Sequence, residues 1–130
     1  NKTNAEMEEL KKTYQEIHNR DVKRDIQGDT SGNFRKFLIS LLDAHRSEEP
    51  ADSKKAISQA KELYKAGEGR LGTDESVFNR IFTTESFSQL RLIFEEYFNL
   101  YRRDIEKAIK AEMSGDVERA FLALIANIRN

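Results

Sequence analysis

The sequence predicts an all-α protein built from a repeated helical unit. Three observations predict it. Apolar residues recur every three or four positions in one stretch after another. A single proline and six glycines leave little to interrupt helices. The chain also resembles itself at an offset of 83 residues.

Residues 1–18 carry Met7, Leu10, Tyr14 and Ile17 at the spacing of a helix with one buried face, and Thr3 or Asn4 can cap it. Asn19 and Arg20 interrupt, and Val22 and Ile26 then mark a short helix ending near Gly28 to Gly32. Asn33 restarts the pattern, with Phe34, Phe37, Leu38, Leu41 and Leu42 as its apolar face. From Asp43 to Asp52 the pattern fails, so His45, Arg46, Ser47, Glu48, Glu49 and Pro50 read as a solvated linker. Pro50 argues against a helix running across it.

A second unit starts near Ser53 and reads as five helices, at about 53–66, 74–83, 87–100, 102–112 and 116–128. Its core candidates are Ala56, Ala60 and Leu63; Val77, Phe78, Ile81 and Phe82; Leu90, Ile93, Phe94, Tyr97 and Leu100; Ile105 and Ile109; and Phe121, Leu124, Ile125 and Ile128. Helices this short are marginal alone, so they must share a core.

Shifting residues 3–45 forward by 83 sets Tyr14 on Tyr97, Arg20-Asp21 on Arg103-Asp104, Asp29 on Glu112, Ser31-Gly32 on Ser114-Gly115 and Leu41-Leu42 on Leu124-Ile125. The two Arg-Asp pairs read as structural turns with local ion pairing. The organisation expected is a three-helix partial unit at 1–44, a linker at 45–52 and a complete five-helix unit at 53–130. The partial unit lacks its two opening helices, so the chain reads as a piece of a longer protein.

A formal net charge of -1 offers no basic field for nucleic acid. Absence of cysteine excludes disulfides and thiolate zinc sites and suits the cytosol. No apolar run approaches the roughly 20 residues of a membrane span, and no signal-like segment opens the chain. No catalytic triad, acid/base pair or phosphate loop emerges, so the chain does not read as an enzyme. His18 and His45 stand alone, without metal-ligand or nucleophile spacing.

The most informative stretch is Tyr64 to Glu75. Gly67, Gly69 and Gly72 read as a helix stop and a tight reversal, with glycine supplying positive φ. Thr73 is the expected cap of the next helix, and Asp74 and Glu75 place negative charge on its first turn. Such a loop turns carbonyl oxygens to one side, as hard cations like calcium require. Glu112, 40 residues after Gly72, closes the fourth helix of the complete unit and can reach the same face if the helices pack up and down. Gly67, Arg70 and Gly72 would then offer backbone oxygens and Glu112 two carboxylate oxygens.

Gly67-Glu68-Gly69-Arg70-Leu71-Gly72-Thr73-Asp74-Glu75, followed by Lys110-Ala111-Glu112-Met113-Ser114-Gly115, resembles the third of the four repeats of an annexin core. Residues 1–44 resemble the second half of the second repeat through Thr3-Asn4, Arg20-Asp21 and Gly28-Asp29-Thr30-Ser31-Gly32. The resemblance implies five-helix repeats in a right-handed superhelical array, about one and a half of them here. It implies calcium loops on a convex, membrane-facing side and calcium-dependent binding to acidic phospholipid by a cytoplasmic protein recruited reversibly to membranes. Carried over by position, the calcium ligands are the carbonyls of Gly67, Arg70 and Gly72 and the Glu112 side chain, with Glu75 at a secondary ion. Asp29 matches the second-repeat carboxylate, whose loop would lie upstream of Asn1. Protein partners would attach through an N-terminal tail outside these residues. Leu71 stands where such repeats often carry tryptophan. Glu8 stands where relatives often carry an arginine facing a central polar channel, so no channel is implied.

Three carbonyls and one bidentate carboxylate give about five oxygens, fewer than the six to eight calcium takes, which leaves room for lipid phosphate. One negative charge implies weak intrinsic affinity, on the order of 10⁻⁴–10⁻³ M, so firm attachment needs several sites at once. Leu71 can add at most about 1.5–3 kcal/mol among lipid tails. Lys65 and Arg70 add roughly 1 kcal/mol each near an anionic surface. The competing reading is a calcium-insensitive helical scaffold that binds a protein partner.

Overall fold

Helices occupy the computed structural model almost end to end across the residues it describes, which are 8, 9, 11–13, 15, 16 and 32–130. The seven described residues between 8 and 16 are helical, with Glu8 exposed. Six helices follow: α1 (Asn33–Asp43), α2 (Ser53–Ala66), α3 (Glu75–Thr84), α4 (Phe87–Tyr101), α5 (Ile105–Glu112) and α6 (Gly115–Arg129). No strand occurs among the described residues, and no helix there is long and apolar enough to cross a membrane. The expected apolar face of residues 1–18, His18, the Val22–Ile26 helix, Arg20-Asp21 and Asp29 lie outside the described residues.

Acidic and hydroxyl side chains start the helices by accepting otherwise orphaned N–H groups. Asp52 accepts from the Lys54 and Lys55 amides at 2.9 and 3.1 Å, Ser86 from Gln89 at 3.0 Å, and Asp104 from Glu106 at 3.0 Å. For α3 the cap is Asp74, which accepts from the Ser76 amide at 3.2 Å. Thr73 was the expected cap, but its hydroxyl is engaged elsewhere. Gly32 and Gly115, matched by the internal repeat, both take positive φ, at 72° and 63°, where α1 and α6 begin.

α1, α3, α4 and α6 close on one aromatic core. Phe37 stacks on Phe121 at 4.1 Å, Phe82 meets Phe121 edge-on at 5.0 Å, and Phe94 lies 5.6 Å from Phe82. Two expected core leucines are exposed instead, Leu42 and Leu100. Leu42 lies a hundred degrees round the helix from buried Leu41. Tyr101, four residues on from buried Tyr97, packs on the core where Leu100 was expected.

The segment expected to be a solvated linker is strapped down. Arg46 donates to the Phe82 carbonyl at 2.7 Å and the Glu85 carbonyl at 2.9 Å, with its guanidinium 4.8 Å from the Phe87 ring centre. Ser47 donates its amide to Thr84 at 2.8 Å. The last carbonyls of α3 have no donors within their own helix, and the linker supplies them. Beneath it, buried Gln89 accepts the Asp52 amide at 2.8 Å and donates to the Asp52 carbonyl and Gln59 at 3.1 and 3.0 Å. Gln59 donates in turn to Glu85 at 2.9 Å.

Candidate metal centre

α2 ends on a hydrogen-bonded reversal. The Gly67 amide donates to Leu63 at 3.0 Å, the Gly69 amide to Tyr64 at 2.7 Å, and the Asp74 amide reaches back to Ala66 at 2.7 Å. These bonds close residues 67–73 into a compact reversal whose tip, Leu71, is 97% exposed.

The three glycines do different jobs. Only Gly72 takes positive φ, at 78°. Gly67 and Gly69 are needed for space. A Cβ on Gly69 would lie 2.6 Å from the Tyr64 ring and 2.9 Å from the Tyr64 carbonyl. A Cβ on Gly67 would lie 3.0 Å from Phe78 and 3.2 Å from the Cγ of Glu112. Left-handed backbone was the expected reason for all three, whereas Gly69 is required by close approach and Gly67 lies where a side chain would be crowded.

The Gly67 contact shows where Glu112 has gone. Its side chain, at the last residue of α5, lies against the start of the loop 45 residues earlier in the chain. Thr73 holds it there, donating its hydroxyl to Glu112 Oε1 at 2.6 Å, with the Glu112 carbonyl at 3.4 Å. Among the described residues no hydrogen bond ends on the carbonyls of Arg70 or Gly72, whereas that of Gly67 accepts the Arg70 amide at 3.1 Å. The Glu112 carboxylate thus lies against a loop otherwise offering uncharged backbone carbonyls, and hard oxygens of this kind suit calcium better than a softer metal. Among the described residues no three His, Cys, Asp or Glu side chains converge on a metal position.

The other predicted residues surround the loop. Lys65, just before the reversal, and Arg70, within it, are both exposed. Arg70 also folds its Nε toward the Leu71 carbonyl at 3.3 Å. Glu75, on the first turn of α3, accepts from the Asn33 side chain at 3.1 Å, which ties it to α1. The neighbouring Asp74 is held below the usual carboxylate range, chiefly by the Ser76 hydroxyl.

Residues 1–41 and 58–124 match the family model described as Annexin. The chain belongs to the annexin family. It is 46% identical over 125 residues to annexin A13 of Homo sapiens, covering 95% of this chain and 40% of that one. It is 43% identical over 131 residues to annexin B10 of Drosophila melanogaster, covering 99% and 41%. Among solved structures, annexin III superposes with a TM-score of 0.76 at 41% identity, covering 98% of this chain and 40% of that one. Chicken annexin V gives 0.69 at 35%, covering 99% and 41%. This annexin chain thus spans about two-fifths of the relatives it matches, and its all-α packing is that of a partial annexin-type helical array.

Two further side chains belong to the annexin loop's surroundings and were not legible as such. Glu68 accepts the Tyr97 hydroxyl at 2.5 Å and Arg103 Nε at 2.7 Å. Arg103 therefore pairs with Glu68 and not with its neighbour, while Asp104 pairs with Arg129 at 2.9 Å. The expected local Arg-Asp pair is replaced by two long-range ones, because Asp104 caps α5 and Arg103 points back to the loop.

Proposed function

We propose that this chain attaches to acidic phospholipid surfaces through calcium held at the 67–72 loop. The Gly67, Arg70 and Gly72 carbonyls and the Glu112 carboxylate would hold the ion, with Glu75 near a weaker second one. The observation that supports this reading is the close approach of the Glu112 side chain to Gly67, where an added Cβ would crowd the carboxylate's stem at 3.2 Å. A bound calcium would supply the positive charge that links an otherwise near-neutral protein to lipid phosphate. Leu71 would enter the apolar boundary, and Lys65 and Arg70 would face the anionic headgroups. Membership of the annexin family supports the same function. Residues 1–44 would be the closing half of one repeat, 45–52 the linker and 53–130 a whole repeat of a cytoplasmic protein recruited reversibly by calcium.

The test is a calcium titration of co-sedimentation with phosphatidylserine–phosphatidylcholine vesicles. Glu112→Gln keeps the shape and removes the coordinating charge. It should raise the calcium midpoint at least about tenfold while leaving helicity intact. A variant that sediments at the wild-type midpoint would remove Glu112 from the site.

A further inference from the structure

We propose that Glu68 is a positioning residue for the 67–72 loop: gripped by Tyr97 and Arg103, it fixes the backbone carrying the Gly67 and Arg70 carbonyls and so sets the calcium concentration the loop needs. The proposal rests on the reading of that loop as a calcium site.

Glu68 is the only acidic residue between Gly67 and Gly72, yet it does not face solvent as a ligand would. Its side chain is 13% exposed and its two oxygens are taken by the Tyr97 hydroxyl and Arg103 Nε, at 2.5 and 2.7 Å. Tyr97 is 1% exposed, so its hydroxyl is delivered from the core. On the other side of the loop, Gly69 is seated directly against Tyr64, whose ring stacks on Tyr101 at 4.0 Å and 7°. The segment 67–69 is thus held by Tyr97 near the end of α4 with Arg103 just beyond it, and by Tyr64 of α2, whose ring rests on Tyr101 of α4. Residues 70–72 project from it. Uncharged carbonyls bind a cation only when already gathered, because ordering them on binding subtracts from a small affinity.

The internal repeat points the same way independently. Among the positions it preserves are Tyr14 and Tyr97, Arg20 and Arg103, and Asp29 and Glu112. In the second unit, all three members reach the same loop, Tyr97 and Arg103 through Glu68 and Glu112 directly. Packing alone would ask for an apolar ring at Tyr97 and would not ask for its hydroxyl.

The experiment uses the full chain, titrated with calcium over phosphatidylserine–phosphatidylcholine vesicles, with Glu112→Gln as reference and thermal unfolding in parallel. Glu68→Gln should raise the calcium midpoint roughly 5- to 20-fold, and Tyr97→Phe, which removes one buried oxygen and no charge, roughly threefold. A tie that served stability alone would lower Tm and leave both midpoints at the wild-type value, which overturns the proposal. Arg103→Gln separates position from charge, since it leaves the Glu68 carboxylate in the loop with one partner fewer. Positioning predicts weaker calcium dependence for it. A midpoint below wild type would show that Glu68 acts only by its charge, and would also overturn the proposal. If the wild type binds without calcium, or Glu112→Gln changes nothing, the site itself is wrong and the positioning role falls with it. If those two behave as expected while Tyr97→Phe and Glu68→Gln match wild type, only the positioning role is lost.

Discussion

Two connections in this annexin chain, the segment between α1 and α2 at 44–52 and the loop at 67–73, are both short of apolar residues, yet they are built to opposite ends. The linker turns its polar groups inward. Arg46 and Ser47 spend their donors on the final carbonyls of α3, and the Asp52 backbone is paired with buried Gln89. The loop turns inward at its base, through the Gly67 and Gly69 amides, Glu68 and Thr73, and leaves the Arg70 and Gly72 carbonyls without a hydrogen bond among the described residues and the Leu71 side chain exposed at its tip. The difference teaches that availability to a ligand depends on where backbone donors and acceptors are satisfied, and not on how hydrophilic a segment is.

The comparison breaks most easily at Arg46. Arg46→Ala removes two charge-assisted hydrogen bonds and a cation–π contact, and should cost roughly 2–4 kcal/mol in urea unfolding. Its calcium midpoint should stay at the wild-type value, because the linker is a structural strap. A shift in that midpoint would mean the two connections are coupled.

Gly67→Ala attacks the base of the loop. The added methyl would crowd Phe78 and Glu112, so roughly 1–3 kcal/mol of stability should be lost together with calcium sensitivity. If stability falls and the calcium midpoint does not, the contact with Glu112 is packing alone.

Leu71→Ser sharpens the contrast at the tip. At 97% exposure the side chain stabilises nothing in the folded chain, so unfolding should change by less than ~0.5 kcal/mol. Vesicle affinity should fall by at most about 1.5–3 kcal/mol, the value of complete burial among lipid tails. Equal affinity for both proteins would place the tip outside the bilayer.

The smallest effect is one of pH. Burial, and then the hydrogen bond to Glu68, pushes the Tyr97 hydroxyl well above its ordinary 10.0. A raised folded value means that this contribution to stability is complete below about pH 10 and is lost as pH climbs past the unfolded value. Tyr97→Phe should therefore show a shallower alkaline decline in Tm than wild type, with no difference in slope near neutrality.

Much of this protein was legible before any coordinates. Helix α2 occupies the predicted 53–66, and α3 to α6 start and stop within about three residues of expectation. The loop and Glu112 were nominated together by the glycine cluster, by the acid 40 residues on and by the matched acid at Asp29. Some signals were present but mute. Tyr97 and Arg103 recur at the repeat offset, yet nothing in their spacing says that both reach Glu68.

Sequence by itself determined the helices, the repeat and the residues of the loop, because helical periodicity, capping chemistry and self-similarity are carried by neighbours along the chain. Tertiary structure alone decided that Gly67 and Gly69 are there for space, that Arg46 straps the linker and that Glu68 is turned inward. Apart from Gly69, which meets Tyr64 five residues back, those outcomes depend on partners about 11 to 45 residues away, and a polar side chain chooses among distant partners only once docked helices have fixed which one lies within about 3 Å.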